Sequence, residues 1–225
     1  MAQLSKKYVE FFKELAAHND RDWFNANKVR FESDVKEPFE AVTAEIIGMM
    51  QKLDPEITLG VKDAVFRIYR DTRFAKDKTP YKLHMSAVVS RGGRRDHSYP
   101  GLYFQIGVDG LAIAGGCWEP QKDQLLQIRQ AIAKDPKGFR KIVDNKKFRD
   151  TFQEVGGDKN KIIPKEFQAV GGTAPEIYNK SFHYWREYPA QKEVLRKDLS
   201  KFIVDHFKTG RAFNDFLAKA MGMMK

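Results

Sequence analysis

The stretch LYFQIGVDGLAIAGGCW, residues 102–118, decides the fold class. On either side of Asp109-Gly110, apolar and β-branched residues alternate with others, which is the period of a strand. Asp-Gly is favoured in a two-residue type I′ turn, where both central positions need positive φ, so the spacing predicts a hairpin of strands 102–108 and 111–118. Working outward, AVFRIY at 64–69, HMSAVVS at 84–90 and SFHYWREY at 181–188 have the same strand-like character. An antiparallel sheet is expected.

Helical periodicity surrounds that sheet. Leu4, Tyr8, Phe11, Phe12 and Leu15 fall on one helix face, and Asp20 is placed to cap a helix carrying Trp23, Phe24 and Phe31. Pro38 suits the first turn of a third helix, whose buried stripe is Phe39, Val42, Ile46, Met49 and Leu53. After Glu119-Pro120, helical spacing resumes at Leu125, Ile128, Ala131 and Ile132, then at Phe139, Ile142 and Val143. Gly156-Gly157, Pro164, Gly171-Gly172 and Pro175 mark 150–180 as mostly loop. Val194, Leu195, Leu199, Phe202, Ile203 and Phe207 form a long amphipathic helix, and Phe213, Phe216 and Leu217 a final turn or helix. With no internal repeat and no Gly/Ser-rich linker, residues 1–225 read as one α+β domain: a mainly antiparallel sheet with an N-terminal helical array and C-terminal helices.

Composition removes several classes. The 225 residues are 42% hydrophobic and 12% aromatic, enough apolar surface to offset the entropy lost on folding. Lys6, Lys7, Glu10, Lys13 and Glu14 interrupt any secretory core, and no apolar run approaches the roughly 18 residues of a membrane span, so no membrane partner is expected. The single cysteine, Cys117, excludes an intramolecular disulfide and a thiolate metal cage, and a cytoplasmic location fits best. His18, His84, His97, His183 and His206 have no metal-ligand spacing, and neither a Walker loop, a G-x-G-x-x-G nor a serine elbow is present. No metal and no cofactor are expected.

Charge locates the informative segment. Lys and Arg outnumber Asp and Glu by 40 to 30, and residues 62–96 alone carry ten cations against four Asp. Within them Arg70 and Arg73 can form paired hydrogen bonds to a carboxylate or phosphate, Lys76, Lys78 and Lys82 act as point charges, and Tyr81 adds a donor. Gly115 and Gly116, where a strand delivers the chain to a helix start, would let a ligand approach the backbone. The expected function is binding of an anionic small molecule by Arg70, Arg73, Lys78, Tyr81, Lys82, Gly115 and Gly116, converging on one concavity. The same residues also fit a solvated loop paired with Asp71 and Asp77, and the glycines a bulge or tight turn. Two alternatives share the positive field: a nucleic-acid-associated protein, though no reading motif is present, and a hydrolase or transferase with Asp71 as base and His84 or His97 as acid.

RIYRDTRFAKDKTPYK at 67–82, NDRDWFNANKVRFE at 19–32 and the GG-x-W-x-P pattern at 115–120 together resemble the bacterial and fungal family called domain of unknown function 2461. The resemblance spans nearly the whole chain, with Cys117 where a third glycine often stands. It implies a cytoplasmic α+β protein and supplies no activity.

Overall fold

In the computed structural model, which describes residues 2–189 and 191–224, helix α1 (Lys6–Ala17) buries Tyr8, Val9, Phe11, Phe12 and Leu15. Asp20 caps α2 (Arg21–Ala26), its carboxylate accepting the Trp23 N–H at 2.8 Å and satisfying an amide that the first turn leaves unpaired. A short α3 (Lys28–Arg30) then runs through a π-helical stretch, Phe31–Lys36, into α4 (Glu37–Leu53). The separate helix start expected at Pro38 is thus replaced by a nearly continuous helical run. The widened π turn falls just ahead of Pro38, which lacks the N–H that a regular α-turn would use.

The short α5 (Val61–Ala64) leads into residues 65–69, where a strand was expected. Only isolated antiparallel bridges form there, Val65 with Ala87 and Tyr69 with Tyr81. Between them the chain advances from 65 to 69 on one side but from 81 to 87 on the other, so two residues are surplus and a continuous ladder is broken. The four strands β1 (His84–Val89), β2 (Gly101–Gly107), β3 (Gly110–Cys117) and β4 (Phe182–Tyr188) form one antiparallel sheet in the order β1-β2-β3-β4. The β2–β3 hairpin is present, but its turn is not type I′. Gly110 has φ of +106° whereas Asp109 stays at negative φ, so the left-handed step falls on the glycine alone, as in a turn followed by a glycine bulge.

Helices follow the hairpin: α6 (Lys122–Lys134), α7 (Pro136–Val143), α8 (Lys146–Phe152) and the single-turn α9 (Lys165–Gln168) precede β4. Asp135 and Asn145 cap α7 and α8 through backbone N–H groups. After β4 come α10 (Gln191–Val194) and α11 (Leu199–Ala220), the latter absorbing Phe213, Phe216 and Leu217 into one continuous helix. The fold class is α+β. Among the described residues no helix is long and apolar enough to cross a membrane.

Two units divide these elements. The first holds residues up to Val89, Tyr103–Ala112 and Glu187–Val204. Its core joins Tyr8, Phe11, Phe12, Phe24, Phe31, Phe39 and Ile46 from the helices with Met85, Ala87, Val89, Phe104 and Ile106 from β1 and β2. The rings of Phe39 and Phe104 lie 5.4 Å apart, and the Tyr8 hydroxyl donates to the Ile106 carbonyl at 2.9 Å. The second unit holds Ser90–Leu102, Ile113–Arg186 and the chain from Asp205 onward. Its core gathers Ile128, Ile132, Phe139, Phe148, Phe152, Phe182, Tyr184, Phe213 and Leu217.

Candidate functional site

Within the basic loop the arginines are already occupied. Arg73 forms a two-pronged pair with Asp71, at 3.0 Å from Nε and 2.7 Å from Nη2, and Arg70 bonds Asp77 at 2.5 Å and the Thr79 hydroxyl. Lys78 donates to the Thr72 carbonyl at 2.9 Å. Asp71 and Asp77 also accept the N–H groups of Arg73 and Thr79. Those bonds and the arginines hold both carboxyls down at about 2. A carboxylate so acidic is a poor proton acceptor near neutral pH, which counts against Asp71 as a general base. Tyr81 is 4% exposed and stacks on Phe24 with centroids 4.0 Å apart, and its backbone is held on both sides by the Asn19 amide. It is a core residue rather than a ligand donor.

Lys82 is different. It is half-buried, its Nζ lies 5.4 Å from the centre of the Phe66 ring, and among the described residues no carboxylate pairs with it. Burial, with the like charge of Arg67 added, pushes its pKa below the usual lysine range. Arg67 is exposed and has no ion pair among the described residues either.

Lys82 leads into β1, where successive side chains point to opposite faces. Met85, Ala87 and Val89 take the core face, leaving His84, Ser86 and Val88 on the other. On β2 the same alternation sends Phe104 and Ile106 inward and leaves Tyr103 and Gln105 on that second face. Gly107 sits where a Cβ would collide with the Leu83 carbonyl and His84, which fixes β2 against β1. The Tyr103 hydroxyl donates to Gln105 Oε1 at 2.8 Å and is also hydrogen-bonded to Ser86. Phe66, anchored by its N–H to the Ser86 carbonyl at 2.9 Å, has its ring 6.4 Å from that of Tyr103. His84 is held down at about 4, first by burial and then by Lys82, with Asp109 opposing. It is a neutral imidazole near pH 7, with no imidazolium proton to supply and too weak a base to accept one well, which counts against it as the expected acid. The result is a patch of the first unit with two aromatic rings, two hydroxyls, an amide, an imidazole and an ammonium with which no carboxylate among the described residues pairs.

Gly115, Gly116 and His97 belong to the second unit. A Cβ at Gly115 would lie 2.2 Å from the Tyr184 hydroxyl, and Gly116 has φ of +103° with its Cβ position 2.2 Å from the Phe182 carbonyl. Both glycines answer to strand packing, in agreement with the bulge alternative. Cys117 is buried and its thiol is pushed up to about 12, chiefly by that burial. His97 Nδ1 lies 3.2 Å from Glu119 Oε2, and the His97 carbonyl receives the N–H groups of Trp118 and Glu119. Of the residues expected to converge, Lys82 lies beside His84, a separate acid candidate, while Arg70, Arg73 and Lys78 are bound within their own loop.

Sequence reasoning missed Phe66, Ser86, Tyr103 and Gln105. Their signal was present in the polar positions at 82, 84, 86, 103 and 105, which alternate with the apolar ones used to find the strands. No curated protein and no solved structure matches the chain. The family model of the conserved hypothetical protein DUF2461 matches residues 7–216, and the chain belongs to that family.

Proposed function

We infer that the first unit binds an anionic ligand, bearing phosphate or carboxylate, on the second face of β1 and β2. The observation carrying this reading is Lys82. A cation partly withdrawn from water without a counter-charge is costly, and an anion arriving beside it offsets that cost. Arg67 adds positive field, Gln105 has amide N–H groups to donate, and Phe66 with Tyr103 gives an apolar wall. Arg70 and Arg73 then serve the loop rather than the ligand. His84, held down at about 4 chiefly by burial, is a poor proton acceptor near neutral pH for the same reason as Asp71, so binding rather than turnover is the reading adopted.

Thermal melting in inorganic phosphate and in citrate tests it, because a ligand that binds only the folded state raises the midpoint. The expected result is a rise for the unaltered protein and for Arg73→Gln, and none for Lys82→Gln. Equal gains in Lys82→Gln and the unaltered protein, or no gain in any, would overturn the reading.

A further inference from the structure

Phe74 is 96% exposed at the centre of the basic loop, and Tyr69, earlier in the same segment, is 50% exposed. A lone apolar side chain on a surface is ordinary. Here, however, the loop is braced to hold the ring out. Asp71 caps the Arg73 N–H, Asp77 caps the Thr79 N–H, Arg70 ties Asp77 and Thr79 together, and Lys78 closes back on the Thr72 carbonyl. The Arg73 guanidinium, 5.9 Å from the Phe74 ring centre, is fixed in turn by Asp71. In the same segment Arg67 and Lys76 are both exposed and without an ion pair among the described residues.

The amount of apolar surface decides what such a loop can meet. Two separate rings are far short of the roughly 800 Å² that each partner of a stable protein interface buries. They are equally short for a bilayer, where even one acyl chain gives marginal binding. A single-stranded nucleic acid needs no contiguous patch, since each exposed ring takes one base and each free cation one phosphate. We propose that this loop binds single-stranded nucleic acid, with Phe74 as the platform on which a base stacks and Arg67 and Lys76 as phosphate contacts. The assignment shares Arg67 with the anion site but does not require Lys82.

Fluorescence anisotropy of the full chain with a labelled oligothymidylate of about 16 nucleotides tests it. With two phosphate contacts the salt dependence is shallow, a roughly sevenfold loss of affinity between about 50 and 200 mM salt. Loss of one stacked base predicts that Phe74→Ala binds about 5- to 150-fold more weakly with an unchanged salt slope. Phe74→Trp retains affinity, and a duplex of the same length binds more weakly than the single strand. Because Phe74 is bare of packing, the melting midpoint of Phe74→Ala and its gain in phosphate stay as in the unaltered protein, which separates this outcome from failure at Lys82. No binding at about 50 mM salt, equal affinity of Phe74→Ala, or equal affinity for duplex would overturn the proposal. So would retention on anionic lipid vesicles, but not on the oligonucleotide, being the property that Phe74→Ala removes.

Discussion

Tyr184 shows how tightly single positions are specified. Its ring is buried among Phe148, Phe152 and Phe213, and its hydroxyl reaches Asn214 at 3.4 Å. Two glycines leave room for it: a Cβ at Gly115 would lie 2.2 Å from the hydroxyl, and one at Gly210 2.2 Å from the ring. Because aromatic neighbours close the other sides, the ring cannot step aside. Gly115→Ala is expected to destabilise the protein by roughly 1–3 kcal/mol, seen as a lower denaturation midpoint with unchanged slope. A variant as stable as the parent would show that Tyr184 has a second place to go. From sequence, Gly115 and Gly116 were readable as a ligand approach or as a bulge or tight turn. What packs on them comes from far along the chain, Tyr184 at Gly115, 69 residues on, and Phe182 at Gly116.

At the scale of elements, hairpin, helices and loop differed in legibility. Asp109-Gly110 announced the hairpin, yet the turn type depends on which residue takes positive φ, and of the two only Gly110 does so, at a place where a Cβ would also meet the Tyr188 carbonyl at 2.2 Å. The strands were legible wherever a regular ladder forms. Residues 65–69 have the composition of a strand but face a partner segment with two surplus residues, which no local pattern reveals. The basic loop was legible as charge, and pairing with Asp71 and Asp77 stood beside ligand binding as one of two readings, since whether Arg73 faces Asp71 or a ligand is a matter of backbone geometry. Its bracing predicts a pH response. Asp71 and Asp77 have their carboxyls lowered to about 2 from 3.8, so the bonds they make are complete above 3.8 and are lost as pH falls through about 2. Protease cleavage at the loop is therefore expected to stay constant on acidification to about pH 4, whereas Asp77→Asn, which releases Arg70, accelerates cleavage at neutral pH. Equal cleavage of that variant and the parent would show that the loop is held by something other than these pairs.

For the whole molecule, the net charge of +10 drew attention to residues 62–96 without distinguishing one cation there from another. Lys82 was one cation among six between 67 and 82; what distinguishes it is a tertiary fact, the Phe66 ring beneath it and the missing carboxylate. The pH dependence of global stability has a definite sign. His84 falls from 6.5 to about 4 on folding, and His183 is also lowered by burial. A histidine depressed in the folded state binds its proton more readily in the unfolded chain, so stability is complete above 6.5 and declines as pH falls toward about 4. The melting midpoint should follow that decline, and His84→Gln should flatten it. A profile as steep in the variant as in the parent would remove His84 from the account.

The Lys82 ammonium, held beside Phe66 with no carboxylate partner among the described residues, is the claim on which the functional reading turns, and NMR titration of its side chain addresses it directly. In the free protein Lys82 is expected to titrate below the ordinary lysine range of about 10.4, and saturating phosphate should move it upward as an anion settles beside it. A titration already in the ordinary range, or one that phosphate leaves unmoved, would contradict the account.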